Sequence, residues 1–275
     1  MSKIKIITDS TSYITKEYAI KNDMSVVQLS YTFEGETKSE GFPGEFDEFF
    51  DKLSKTTSFP TTSQPSVGTF VKEYEKALTD YDEVLVLPFS SKLSGTFNSA
   101  LMAKEMVDKD RITVIDTEQA VGNLKFLVED AVMMAKNGIK MEEIVQYIEA
   151  QKEKMEIYLT IDTLEYLRRG GRLSNVKSVI GTVLNIKPII ELKDGSLQLL
   201  ENVRGKKKAL NMIIDKVPSY AKRISISHIF NEEEALEFKK IIQERCTNAI
   251  VTIDEIGPVI GGHLGPKGIG VCFKY

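Results

Sequence analysis

The sequence predicts an α/β protein with a parallel sheet in its first half and a mixed sheet in its second. Two observations carry this. From the start to about residue 155, short apolar runs alternate with amphipathic stretches as strand, loop, helix, repeated four times, the signature of a parallel sheet wrapped by helices. Beyond that point the pattern changes, and Asp194-Gly195 joins two apolar runs as the favoured two-residue turn of a β-hairpin. We therefore expect two α/β domains, residues 1–155 and residues 156–275.

The elements follow in order. Ile4–Ile7 is a first strand, followed by the polar turn Thr8–Ser12 and a helix over Thr15–Asn22. Ser25–Leu29 is a strand and Glu45–Leu53 a helix. Two prolines bracket Pro60–Pro65, which reads as a loop, and Ser66 caps a helix to Leu78. Glu83–Leu87 is a continuous apolar run, as expected of a strand buried on both faces. Pro88 ends it, and Phe89–Thr96 leads into a helix over Phe97–Val107. Ile112–Ile115 is the next strand, and helices follow over Glu118–Lys136 and Met141–Lys154.

In the second half, Ile157–Ile161 is a strand. Leu164–Arg169 is a short helix stopped by Gly170-Gly171, and Ser174–Leu184 a helix on a Ser cap. Ile186–Leu192 and Leu197–Val203 form the hairpin. Lys206–Tyr220 is a basic helix, Ile224–Ile229 a strand, Glu232–Arg245 a helix, and Ile250–Ile256 and Ile269–Phe273 the last strands. Hairpin and helices together predict a mixed sheet with helices on one face.

Composition narrows the function. The chain has 275 residues, 42% hydrophobic and 28% charged, with net charge −4. An acidic balance argues against a nucleic-acid binder, which needs a basic footprint. The opening Met1-Ser-Lys-Ile-Lys-Ile-Ile-Thr-Asp turns acidic too soon for a signal peptide. No apolar run approaches the ~18 residues of a membrane span. Cys246 and Cys272 stand apart, as do His228 and His263. Isolated cysteines fit a reducing cytoplasm, and no metal centre is expected.

In open parallel sheets, ligands bind on the loops beyond the carboxyl ends of the strands. Thr8–Ser12, Thr61–Gln64, Ser90–Thr96 and Asp116-Thr117 qualify, and all are rich in hydroxyls. None carries a phosphate-loop or dinucleotide fingerprint. Ser94-Gly95 at a helix start reads either as an anion site or as an ordinary cap. Arg168-Arg169-Gly170-Gly171-Arg172 gathers three guanidinium groups. The first two fit a helix C-terminus, an explanation that weakens for Arg172. Arg204, at a strand end, is the member of Arg204-Gly205-Lys206-Lys207-Lys208 expected to point inward. His263 sits in Ile260–Gly270 among five glycines, either as a ligand contact or as part of a Gly-rich turn before the last strand.

Taken together, Ile7-Thr-Asp-Ser-Thr-Ser12, Thr62-Ser-Gln-Pro65, Leu93-Ser-Gly-Thr96, Gly170-Gly-Arg172, Lys187-Pro188, Arg204 and His263-Leu-Gly-Pro266 resemble, in the same order, the DegV family of bacterial fatty-acid-binding proteins. Its members look like FakB, the lipid-binding subunit of bacterial fatty acid kinase. The resemblance spans the chain. It implies a two-domain DegV-like fold, with a small parallel sheet domain and a mixed-sheet domain containing a lipid tunnel. For the acyl tail in that tunnel we expect Ile161, Leu164, Leu167, Val179, Ile180, Val183, Leu184, Ile189 and Phe230, residues that equally describe a core.

It also implies a cytoplasmic protein that binds a long-chain fatty acid without cofactor or catalysis of its own. Such a protein presents the carboxylate to a partner kinase and carries the acyl-phosphate toward a membrane-associated acyltransferase and phospholipid synthesis. Thr62, Ser94, the backbone of Gly95 and His263 fall on the family's carboxylate contacts. Arg172 and Arg204 fall on arginines associated with the carboxylate or phosphate end and with the kinase. The rival expectation is a serine hydrolase or acyltransferase with Ser94 as nucleophile and His263 as base. The missing G-x-S-x-G elbow counts against it.

Overall fold

The computed structural model describes residues 2–174 and 185–275. The predicted helix Ser174–Leu184 lies outside the described residues, apart from Ser174 at the end of a short strand. The first half contains β1 (Ile4–Asp9), a 3-10 turn (Ser10–Ser12), α1 (Lys16–Lys21), β2 (Ser25–Val27), β3 (Ser30–Phe33), β4 (Glu36–Ser39), α2 (Asp47–Ser54), β5 (Thr61–Ser63), α3 (Val67–Asp80), β6 (Glu83–Leu87), α4 (Thr96–Val107), β7 (Ile112–Val114), α5 (Val121–Lys136) and α6 (Met141–Lys152). The second half contains β8 (Met155–Thr160), α7 (Glu165–Gly170), β9 (Leu173–Ser174), β10 (Ile186–Lys193), β11 (Ser196–Arg204), α8 (Lys206–Lys216), β12 (Arg223–His228), α9 (Glu232–Arg245), β13 (Ile250–Glu255), α10 (Pro258–Leu264) and β14 (Ile269–Lys274).

The first sheet is parallel, in the order β2-β1-β6-β7. Its strands alternate, so Ile7, Val84 and Val86 pack with Phe70, Tyr74 and Ala100 of α3 and α4. Ile4, Ile6, Leu85 and Leu87 belong to the core that holds Leu124, Leu127 and Val128 of α5. The second sheet is mixed, in the order β13-β12-β14-β8-β10-β11-β9. One of its faces, with Tyr158, Ile189, Ile224, Ile226, Val271 and Phe273, buries Ile213 of α8 and Phe238 and Ile242 of α9. The other face turns toward the first half of the chain.

Helix α5 lies between the two sheets, touching β1 and β6 on one side and β8, β12 and β14 on the other. Gly122 makes this approach possible: a Cβ there would stand 2.5 Å from Ser225 Cβ and 3.1 Å from Cys272 Cβ.

The hairpin forms as predicted. Asp194 and Gly195 both have positive φ (49° and 74°), as a type I′ turn requires. Its tip is tied to the first half, because Ser90 Oγ donates to Gly195 O at 2.7 Å.

Three departures from the sequence reading bear on the site. Thr61–Ser63 is a strand and not loop: with β3 and β4 it makes a small antiparallel sheet, β4-β3-β5, closed by a positive-φ Glu34-Gly35 turn. The basic helix stops at Lys216, where Pro218 prevents its continuation. The Gly-rich stretch begins as helix α10, which runs from Pro258 at its first position to Leu264 and leaves only Gly265–Gly268 as the turn before the last strand. Its glycines are contact points. A Cβ at Gly261 would meet the Phe50 ring at 2.5 Å, and one at Gly262 would meet Pro60 Cγ at 2.8 Å.

Candidate functional site: an apolar cavity with a polar end

Between the mixed sheet and the first half lies a cavity of about 360 Å³, within the ~300–1,000 Å³ of small-molecule sites. Register explains its floor. Gly270 pairs with Leu159 and with Ser227, and Cys272 with Ile157, so these five side-chain positions share one face of three adjacent strands. All five line the cavity, and Leu192 and Leu197 of the hairpin extend the wall. Val259, Ile260 and Leu264 come from α10, and Ala120 and Val121 from the start of α5. Val121 holds φ 45°, a costly conformation for a β-branched residue (on the order of 1–3 kcal/mol).

The polar lining is gathered from Thr62, Ser63, Gln64, Ser94, Gly95, Arg172 and His263. The structure thus brings together five of the six predicted site residues. Thr62 is presented by β5, and its Oγ1 lies 2.7 Å from His263 Nε2. Ser94 precedes α4, where its Oγ lies 2.9 Å from Thr96 Oγ1 and accepts the Thr96 N–H at 3.3 Å. Gly95 is the cap residue of α4. The Gln64 side chain lies against it, where a Cβ would stand 1.9 Å from Gln64 Oε1. Gln64 Nε2 in turn donates to Ser99 Oγ at 2.9 Å. Gln64 was not singled out as a contact in the sequence, although it sits in the Thr62–Pro65 motif.

Gly170 serves His263. A Cβ there would lie 2.1 Å from the imidazole Nδ1, so the ring seats on bare backbone. Arg172 is exposed at the cavity edge, with its guanidinium donating to Gly170 O and Nε 3.5 Å from Leu93 O. Arg168 and Arg169 pair instead with Glu165. Arg204 stands apart: it ends β11 opposite Ile186, exposed, and among the described residues it does not line the cavity.

Of the four hydroxyl-rich loops, two reach the cavity. The others are internal. Thr8 Oγ1 donates to Leu87 O at 2.8 Å and Thr117 Oγ1 to Pro88 O at 2.7 Å, and both side chains are buried. Of the described candidates for an acyl wall, Leu167 lines the cavity, while Ile161, Leu164, Ile189 and Phe230 do not. Ile189 packs on the opposite sheet face with Tyr158, and Phe230 is 44% exposed. Val179, Ile180, Val183 and Leu184 lie outside the described residues.

Burial, and secondarily the Arg172 charge, push the His263 pKa down to about 4. The ring is therefore neutral near pH 7. Ser94 and His263 face one cavity, but Ser94 bonds to Thr96 and His263 to Thr62. Among the described residues no hydrogen bond joins them as nucleophile and base. The arrangement can accept an anion on hydroxyl, amide and imidazole donors.

The depressed His263 value has a consequence for stability. Between about pH 4 and 6.5 the unfolded chain binds a proton at this ring that the folded chain does not. Its contribution is therefore complete above pH 6.5 and is lost as the pH falls toward 4. His263→Asn is expected to flatten the loss of stability over that window, measured as the urea midpoint at pH 7 and pH 4.5. An unchanged acid sensitivity would show that the ring is not held neutral by the fold.

Among the described residues no helix is long and apolar enough to cross a membrane, and no cluster of His, Cys, Asp and Glu is placed to hold a metal ion. Fold and site define an α/β protein that encloses an apolar cavity with a polar end between a parallel and a mixed sheet. The chain belongs to the DegV family, described as uncharacterised proteins, whose model matches residues 3–275. A DegV domain-containing protein of Caldanaerobacter subterraneus subsp. tengcongensis is 36% identical over 279 residues, covering 100% of this chain and 99% of the relative. The crystal structure of DegV from Bacillus subtilis, described as a fatty acid binding protein, matches with a TM-score of 0.89 and 32% identity over 100% of both chains. A hypothetical protein from Thermotoga maritima, described as revealing fatty acid binding function, matches with a TM-score of 0.89 and 31% identity over 100% of this chain and 99% of its own.

Proposed function

We propose that this protein is a cytoplasmic carrier of a long-chain fatty acid. The acyl chain occupies the cavity and the carboxylate lies at Thr62, Ser94, Gly95 and His263. The observation that carries this reading is the apolar cavity whose polar groups gather around Thr62 and His263. The fatty acid binding described for the Bacillus and Thermotoga relatives supports it.

The energetics agree. At ~0.8 kcal/mol per buried CH₂, a long acyl chain contributes on the order of 10 kcal/mol, enough to offset ordering costs and give slow release. A bare buried carboxylate costs several kcal/mol, and two hydroxyls, a helix-start amide and an imidazole offset it. Such donors need no nucleophile.

In the fuller reading the protein is a FakB-like subunit. A partner kinase supplies ATP and Mg²⁺ and transfers the terminal phosphoryl group to a carboxylate oxygen, releasing ADP. The carrier then delivers the acyl-phosphate to a membrane-associated acyltransferase for phospholipid synthesis. Arg172, at the cavity edge, is placed to meet the carboxylate or phosphate. Arg204, exposed beyond it, suits kinase contact.

Native mass spectrometry of freshly purified protein, followed by denaturation and lipid analysis, tests the carrier role. A stoichiometric fatty acid is expected. Protein that emerges empty and refuses both oleate and palmitate would overturn it. Arg204→Ala is expected to leave fatty-acid affinity unchanged and to lower acyl-phosphate formation by the kinase about tenfold or more, as for a lost charge-assisted contact. Loss of fatty-acid binding with kinase docking intact would reverse the role assigned to Arg204.

A further inference from the structure

Two carboxylates lie under the cavity wall, outside the site described above. Asp9 ends β1 and Glu40 follows β4, with 0% and 3% of their surfaces exposed. Asp9 accepts the Thr11 N–H at 2.9 Å and hydroxyl at 2.6 Å through Oδ1, and the Phe89 N–H at 2.8 Å through Oδ2. Glu40 Oε2 accepts the Ser10 hydroxyl at 2.6 Å. Its Oε1 accepts the Val259 N–H at 2.9 Å and the Tyr13 hydroxyl at 3.2 Å. Ser10 Oγ in turn accepts the Leu29 N–H at 3.1 Å. Leu29, Phe89 and Val259 all line the cavity, so three wall positions from distant parts of the chain are held by their backbone N–H, Phe89 on Asp9, and Leu29 and Val259 on the neighbouring Ser10–Glu40 network.

The Val259 contact matters most. Val259 is in the first turn of α10, and His263 follows four residues later on the same face. Gly257 admits the carboxylate, since a Cβ there would lie 2.8 Å from both Glu40 Oε1 and the Phe46 ring. The groups facing Glu40 are Asp9 from β1, Ser10 and Tyr13 from the 3-10 turn and the residue after it, Phe46 from the approach to α2, and the Val259 amide from α10. None is cationic. Burial away from any paired cation favours the protonated acid, against the three donors, which favour the ionised form. Burial pushes Glu40 up to about 7, with Asp9 adding to the rise, and burial pushes Asp9 up to about 6.

We propose that Glu40 is a positioning residue for the polar end of the cavity: carrying a proton, it docks α10 and so sets His263 against Thr62, and losing that proton loosens the docking. The part that concerns ligand affinity rests on the fatty-acid reading above. The direction follows from linkage. Docked and buried, Glu40 holds its proton to about pH 7, whereas exposed by undocking it would release it in the usual carboxylate range, ~4–5. Raising the pH through 7 therefore favours the undocked helix. The loss builds up to about pH 7 and levels off beyond it, and His263 works the other way below its ordinary value of ~6.5, so the stretch above pH 6.5 reads the last part of the Glu40 effect alone.

The test compares the wild type with Glu40→Gln, an uncharged isostere of the protonated acid that still accepts the Val259 N–H. From pH 6.5 to 8.5 the wild type is expected to lose oleate affinity by about two- to fourfold, fourfold being roughly the ceiling for one linked proton with a midpoint near 7. Glu40→Gln is expected to match the wild type at pH 6.5 and to bind more tightly at pH 8.5. The ligand's own titration is common to both proteins and cancels. Equal pH dependence in the two proteins overturns the proposal.

A second readout needs no ligand. In lipid-stripped wild-type protein the His263 imidazole NMR signals are expected to shift with a midpoint near pH 7, far from the ring's own titration, and to stay flat in Glu40→Gln. A flat wild-type response overturns the proposal even if the variant does not fold. Asp9→Asn is expected to move the midpoint to lower pH by removing a neighbouring negative charge, and an unmoved midpoint counts against Glu40. Failure to bind oleate at any pH would sink the fatty-acid reading while leaving the NMR result to decide the role of Glu40.

Discussion

Leu197→Trp is expected to abolish tight fatty-acid binding while leaving the fold intact. Leu197 lies one residue inside β11, paired with Leu192 across the hairpin, and both side chains wall the cavity. It is only half-buried, so a larger ring has a way out of the core proper. Inside about 360 Å³, an indole displaces several methylenes of an acyl chain. At ~0.8 kcal/mol each, four to six lost methylenes amount to about 3–5 kcal/mol, or two to four orders of magnitude in affinity. The chain contains no tryptophan, so the variant carries its own fluorescent reporter. Titration with oleate, beside a denaturant melt, checks both halves of the expectation. Wild-type affinity in a folded variant would place the acyl chain elsewhere.

The second large effect is expected at the polar end. Thr62→Ala and Ser94→Ala each remove a hydroxyl from the place where we put the carboxylate. A buried anion deprived of one donor costs ~1–3 kcal/mol, or about five- to 150-fold in affinity. Thr62→Ala also leaves His263 Nε2 without its 2.7 Å partner, so the two losses are not expected to add simply. The discriminating comparison is oleate against oleyl alcohol, which shares the tail and lacks the charge. Both variants are expected to lose affinity for oleate and to bind the alcohol nearly as the wild type does. Equal losses for both ligands would mean that the hydroxyls support the wall and do not hold the carboxylate.

Much of this architecture was readable in advance because its signals are local. Apolar runs such as Glu83–Leu87 announce strands buried on both faces, and Asp194-Gly195 announces its turn. The motifs around Thr62, Ser94, Arg172 and His263 pointed to residues that the fold does gather around one cavity. What escaped depends on tertiary context. The strand Glu36–Ser39 is exposed along its length and carries no apolar pattern. Helix α10 was hidden by glycines, which disfavour helix by propensity but here allow Phe46, Phe50 and Pro60 to approach. The cavity wall was misjudged at Ile189 because apolar pattern does not tell which sheet face covers helices and which covers a ligand. Glu40 gave no signal at all, since one acid in a polar stretch becomes unusual only when the fold buries it against Val259.

Helix α5 bears on how the molecule comes apart. Ten of its sixteen residues are buried, in a single core that takes side chains from both sheets, and neither sheet keeps its cover if the helix leaves. A chain cut between α6 and β8 would free a mixed sheet whose inner face, from Ile157 to Cys272, has lost the helix that shields it. The two halves are thus expected to melt in one cooperative transition, as a single folding unit, even though their strands belong to separate sheets.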